Sequence, residues 1–283
     1  MTDGLLANTV CLVTGGGGGL GRAYATLLAR EGAAVVVSDL GTSREGKGTS
    51  PSPAEAVVQE IVASGGRAIA HAGDTATAAG ADEAIEAAVR AFGDVHVLIN
   101  SAGIQRDGTL LKLEDEAFEE VVRVHLKGVF FCTQRFASHR VRKGGGGRIV
   151  NTTAASGLLG NLGQASYAAA SAGIYGLTRT AAIELQKHRI FVNCVAPIAR
   201  TRMTEDLPMF ANLDSLTPEH VAPAVLFLAS PLAEDKSGWV LAAAGARMYA
   251  FRILETAGRF KEETGGVWSA EEIAANWDSI VKM

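Results

Sequence analysis

The sequence predicts an α/β fold: a doubly wound parallel sheet of about seven strands with helices on both faces. Three observations predict it. Short β-branched runs alternate with longer helical stretches along the chain. The runs are apolar at nearly every position, as strands buried on both faces are. The first run passes through a glycine loop directly into a helical stretch.

The elements follow in order. Strands are expected at 9–15 (TVCLVTG), 33–39 (AAVVVSD), 67–73 (RAIAHAG), 95–101 (VHVLINS), 147–153 (GRIVNTT) and 189–196 (RIFVNCVA), with a seventh candidate at 238–245 (GWVLAAAG). Helices fill 19–31, 54–64, 79–92, 114–141, 164–187 and 218–230. Successive parallel strands should be joined by right-handed crossovers. Residues 41–53 (GTSREGKGTSPSP) form a polar loop, and Gly144–Gly147 a surface turn. The main domain is expected at 1–249. Residues 250–283 form a C-terminal extension, packed on the same domain or on a partner subunit. In it Ser269 stands where it can cap a terminal amphipathic helix, SAEEIAANWDSI.

Composition narrows the function classes. The 283 residues are 48% hydrophobic and 20% charged, an ordinary globular profile. A net charge of −4 argues against a nucleic-acid or membrane-surface partner. No apolar run approaches the ~20 residues of a membrane span. The opening MTDGLLANTV reads as free of a secretory signal. Cys11, Cys132 and Cys194 lie in apolar segments and read as core residues of a reduced, cytoplasmic protein. His71, His96, His139, His188 and His220 form no ligand pattern, and no metal site is expected. Asp115, Glu116, Glu119 and Glu120 suit a solvated helix start.

The glycine loop carries the first functional signal. Gly15, Gly19 and Gly21 give the spacing TGxxxGxG between a strand and a helix. Glycines permit the tight turn and let a diphosphate approach the backbone. The free N–H groups and dipole of the helix N-terminus favour that anion. Asp39 ends the next strand, where a carboxylate accepts bonds from ribose hydroxyls and repels a 2′-phosphate. The pattern therefore favours NAD(H) over NADP(H). Arg22 and Arg44 are the cations that could argue otherwise.

TGGGGGLG (14–21), Asp39, Asp74 in AGDTA, NSAG (100–103), Tyr167 and VAPIART (195–201) together resemble the short-chain dehydrogenase/reductase family. The likeness covers essentially the whole chain and implies a Rossmann-type fold. GKGTSP, GIQRDGTL, VVRVHLKGVF, GNLGQASYAAA and ANWDSI are similar to the (3R)-hydroxyacyl-CoA dehydrogenase part of peroxisomal-type multifunctional enzymes and its free-standing bacterial relatives. The resemblance implies NAD-dependent chemistry on a 3-hydroxyacyl thioester, in a homodimer or homotetramer. It places the cofactor on Gly15, Gly19, Leu20, Gly21, Asp39, Asp74, Thr75, Asn100, Ala102, Gly103, Tyr167, Pro197 and Thr201. Asp74 would sit by the adenine, and the NSAG segment would steady the central strand.

The family's chemistry rests on a serine, a tyrosine and a lysine, and here the resemblance breaks. Tyr167 matches the tyrosine. The lysine position, four residues on, holds Ser171, and the serine position, thirteen back, holds Ala154. Thr153 and Ser156 are the neighbouring hydroxyls, but strand alternation turns Thr153 away unless the strand has ended. His125 stands where the broader family often has asparagine, and Ile198 adds bulk after Pro197. A free tyrosine titrates near ~10, so roughly one in a thousand is ionised at neutral pH. Bringing it to ~7 takes about 4 kcal/mol of tyrosinate stabilisation, usually from an ammonium. Oxidation, which needs tyrosinate as base, should suffer most.

Three readings stand. The chain is an oxidoreductase on a 3-hydroxyacyl, 3-oxoacyl or polyketide-like ketone substrate, with an altered proton path through Tyr167 and His125. Or it is a non-redox enzyme (dehydration, isomerisation or cyclisation) on the same scaffold. Or it is a catalytically silent, NAD-binding subunit of a hetero-oligomer with an active paralogue. Arg106–Asp107 and Arg200–Met203 lie where loops would meet substrate.

Overall fold

The computed structural model describes residues 4–42, 48–201, 216–261 and 266–283. Eight strands form one sheet in the order β3-β2-β1-β4-β5-β6-β7-β8. The strands are β1 (Val10–Thr14), β2 (Ala34–Ser38), β3 (Arg67–His71), β4 (Val97–Asn100), β5 (Gly147–Thr152), β6 (Ile190–Ile198), β7 (Val240–Ala244) and β8 (Arg247–Phe251). Every pairing from β3 through β7 is parallel. Strand order runs outward in both directions from β1 and β4, and such a switch point opens a crevice at the strands' carboxyl ends. All seven expected strands are present. The eighth follows β7 after only Gly245 and Ala246, so it must return antiparallel.

The helices are α1 (Gly19–Arg30), α2 (Ser52–Ala63), α3 (Ala78–Phe92), α4 (Asp115–Val121), α5 (Gly128–Lys143), α6 (Ser156–Leu159), α7 (Ala165–Glu184), α8 (Ala222–Ala229), α9 (Ala270–Ala275) and α10 (Trp277–Ile280). Alternating strand side chains divide the core between the two faces. Cys11 and Val13 of β1 pack with Tyr24 and Leu28 of α1, Ile61 of α2 and Val225 of α8. Leu12 of the same strand packs with Ile85 of α3, Phe136 of α5 and Ala181 of α7. Each fully buried large side chain contributes about 1.5–3 kcal/mol of transfer free energy. The three cysteines are buried free thiols, as expected.

The expected helix over 114–141 is interrupted. Residues Val122–Lys127 form a π-helical segment between α4 and α5, a local widening that often marks functional sites.

The chain divides into two compact units, Met1–Ala250 and Phe251–Met283. In the second, Ser269 caps α9 in a reciprocal capping box with Glu272. Lys261 Nζ pairs with Glu272 at 2.7 Å, and Thr256 Oγ1 donates to the Ile280 carbonyl at 2.7 Å. The expected single helix breaks at Asn276 into α9 and α10.

Candidate functional site

The glycine loop between β1 and α1 is fixed by close backbone approach. Gly15 has φ +65°, and a Cβ there would stand 2.7 Å from the Ala102 Cα. A Cβ on Gly21 would stand 2.1 Å from the Gly15 carbonyl oxygen. Only glycine fits either position. Thr14 ties the loop to the end of β4, its Oγ1 accepting from the Ser101 and Ala102 amides at 3.1 and 3.2 Å. The first turn of α1 has no side-chain cap, so its N–H groups stay available to an anion.

The Asp39 carboxylate braces this loop. It accepts from the Gly17 amide at 2.8 Å and the Gly41 amide at 2.7 Å. Each oxygen keeps a lone pair for a further donor. Arg22 pairs with Glu60 of α2 at 2.8 Å. Arg44 lies outside the described residues.

A cavity of about 300 Å³ runs along the switch point. It brings together ten of the thirteen expected cofactor residues: Gly15, Gly19, Leu20, Gly21, Asp39, Asp74, Thr75, Ala102, Gly103 and Thr201. Three do not line it. Asn100 is buried, its amide donating to Thr133 Oγ1 at 3.2 Å and Asn151 Oδ1 at 2.8 Å, so it steadies the sheet beneath the crevice. Pro197 pairs with Ala243 near the end of β6. Tyr167 stands on α7, beyond the cavity. Residues missed by sequence reasoning include Ser38 and Leu40, which merely flank Asp39, and Arg123. Arg123 reaches the cavity from the π segment and pairs with Asp74 at 2.9 Å. The motif VVRVHLKGVF contains that segment but implied no role for Arg123.

The other end of the crevice is built around Tyr167. The half-buried ring stacks on His125, with centroids 4.9 Å apart and planes 17° from parallel. It packs against Ile104, Val121 and Ala170. Burial and the Asp107 carboxylate push its phenol up to about 12. His125 is buried, and burial brings its imidazole down to about 4, only partly offset by the Ala102 backbone. A Cβ on Gly103 would stand 2.5 Å from His125 Nδ1, so glycine there is what admits the ring. At neutral pH both groups are therefore uncharged.

Ser171 is fully buried, with its Oγ 3.5 Å from His125 Nε2. Gly157 covers it: a Cβ there would stand 2.7 Å from the Ser171 Cβ. Ala154 lies just past the end of β5 and offers no polar side-chain atom. Thr153 is buried and its hydroxyl donates to the Ser171 carbonyl at 2.8 Å, so it clasps α7. Ser156 opens α6 with a buried hydroxyl that meets no partner. Ser171 and Ala154, which stand where the resemblance implies a lysine and a serine, carry no charge. Arg202 and Met203 lie outside the described residues. No group of three or more metal-ligating side chains is found among the described residues.

Residues 9–210 match the family model for short chain dehydrogenases. The chain belongs to the short-chain dehydrogenase/reductase family. It is 39% identical to the hydroxyacyl-CoA dehydrogenase ChsB1 of Mycobacterium tuberculosis, over 95% of this chain and 87% of that protein. It is 41% identical to mouse peroxisomal multifunctional enzyme type 2, over 96% of this chain and 36% of that longer protein. The crystal structure of a short chain dehydrogenase from Mycobacterium avium superposes with TM-score 0.86 at 39% identity, covering 98% of this chain and 96% of that one. These relatives agree with the likeness read from the motifs. Among the described residues no helix is long and apolar enough to cross a membrane.

Membership of the short-chain dehydrogenase/reductase family implies a nicotinamide dinucleotide. The residues at the glycine-loop end fit one: two glycines whose Cβ would collide, an uncapped helix start and a braced carboxylate. At the Tyr167 end, Ser171 and Ala154 occupy the two positions where the resemblance implies the supporting lysine and serine.

Proposed function

We propose that the chain binds NAD(H) and reduces a 3-oxoacyl thioester or a polyketide-like ketone. The observation that carries this reading is the pairing of an intact nucleotide cradle with a tyrosine held neutral. A bound nicotinamide would supply the hydride. Tyr167, with its phenol up near 12, serves as the acid that protonates the substrate oxygen. The tyrosinate left behind must be reprotonated before the next turnover. His125 backs the ring and holds its angle. Its low proton affinity makes it a weak general base, which weighs against the non-redox reading. Asp39 selects NADH because its carboxylate would repel a 2′-phosphate.

Oxidation of the 3-hydroxyacyl thioester is the disfavoured direction. It needs tyrosinate, and no ammonium stands at residue 171 to stabilise it. The names of relatives such as the hydroxyacyl-CoA dehydrogenase ChsB1 support the acyl-thioester class. The sealed, uncharged Ser171 favours a second reading, a silent NAD-binding subunit beside an active paralogue. We place the protein in the cytoplasm as a homodimer or homotetramer.

One experiment separates the readings. Purified protein is mixed with a 3-oxoacyl-CoA and either NADH or NADPH, and loss of cofactor absorbance is followed. The reductase reading expects turnover with NADH, and far less with NADPH. Tight NADH binding without turnover would overturn the reductase reading and favour the silent subunit.

A further inference from the structure

We propose that Arg123 positions the purine of the nucleotide, acting through Asp74. The inference rests on the nucleotide reading above and extends it to a residue to which the resemblance gave no role. The π segment Val122–Lys127 serves both ends of the crevice. Its His125 backs Tyr167, while its Arg123 and Val124 line the cavity. Arg123 meets Asp74 at 2.9 Å on Oδ2. The other oxygen, Oδ1, accepts from the Ala76 amide at 3.0 Å. The residue's own carbonyl accepts from the Thr77 amide and hydroxyl at the start of α3.

Asp74 is therefore held from both sides. Each carboxylate oxygen keeps a lone pair that can accept from an exocyclic amine. A guanidinium is planar, and its faces stack on aromatic rings. One side chain thus both fixes the acceptor for a 6-amino group and offers a stacking surface in the same cavity. The ligand chemistry this fits is an aminopurine. A 6-oxo purine would present an oxygen to the carboxylate and be rejected.

The test measures dissociation constants of NADH and of its deamino analogue, in which hypoxanthine replaces adenine. Wild-type protein is compared with Arg123→Met and Arg123→Lys. The side chain is 44% exposed, so neither substitution should move the melting temperature appreciably. Wild type should prefer NADH by roughly tenfold, the scale of one polar group left unpaired. Arg123→Met should weaken NADH by about tenfold and bring the preference within about twofold of unity. Arg123→Lys should retain part of the preference.

An unchanged NADH-to-deamino ratio in Arg123→Met overturns the proposal, since a purely structural ion pair would leave that ratio alone. So does a wild type that binds both forms equally. A wild type that binds neither would defeat the nucleotide reading itself, and this inference with it.

Discussion

The two ends of one crevice have opposite characters. At the glycine loop, backbone meets backbone so closely that Gly15 and Gly21 admit no other residue, and the Asp39 carboxylate is doubly braced. At Tyr167 the ring and its neighbour His125 are in place, yet the positions that should tune them hold Ser171 and Ala154. Binding geometry and reaction chemistry are thus separable in this fold. The first depends on glycines and strand ends. In the proposed reading, the second depends on the side chains at positions 154 and 171, which lie outside the strands.

The largest expected effect lies in pH. With the Tyr167 phenol up near 12, tyrosinate is scarce at neutrality. Any alcohol oxidation should rise about tenfold per pH unit, roughly a thousandfold from pH 7 to 10, while ketone reduction stays flat. A plateau of the oxidation rate near pH 8 would mean that another cation serves the tyrosine. Next comes Gly21→Ala. Its Cβ would stand 2.1 Å from the Gly15 carbonyl oxygen, so the loop must move. NADH affinity should fall by at least about a hundredfold, and stability by about 1–3 kcal/mol. Titration calorimetry and thermal melts check both.

His125 sharpens the comparison from the reaction end. Its imidazole is held at about 4, against 6.5 unfolded. The unfolded chain therefore binds the extra proton first. The stability at stake is fully present above about 6.5 and is lost as pH falls toward 4. The shift corresponds to about 3 kcal/mol. His125→Asn should remove most of that acid dependence, read as the slope of unfolding free energy between pH 6.5 and 4. The smallest effect is Asp39→Ala. It should weaken NADH by roughly tenfold and, with the repulsion of a 2′-phosphate gone, strengthen NADPH, so the ratio of the two constants is the measurement.

Much of this was legible in the sequence. Mostly apolar runs gave away the strands, and β1 through β7 formed where those runs lie; β3, expected to be buried, is instead an edge strand that is only partly buried, with Arg67 exposed. Glycine spacing exposed the cradle because the glycines follow a strand, open a helix and are followed by Asp39 at the end of the next strand. β8 escaped notice because Arg247–Phe251 is mixed in polarity. The π segment escaped because periodicity of apolar residues hardly distinguishes a local π turn from a continuous α-helix. Arg123 was lost with it. The fate of Thr153 depended on where β5 ends, a boundary no propensity sets to one residue. The covering of Ser171 by Gly157 is a tertiary contact without any local signal.

The most direct test rebuilds the missing groups in Ser171→Lys combined with Ala154→Ser. NADH affinity and the rate of 3-hydroxyacyl-CoA oxidation are measured side by side with the natural protein. The account predicts an NADH dissociation constant unchanged within a few fold and an oxidation rate raised by about 10²–10⁴, the range of a restored acid–base group. A natural protein that already oxidises the thioester as fast as the rebuilt one would contradict it.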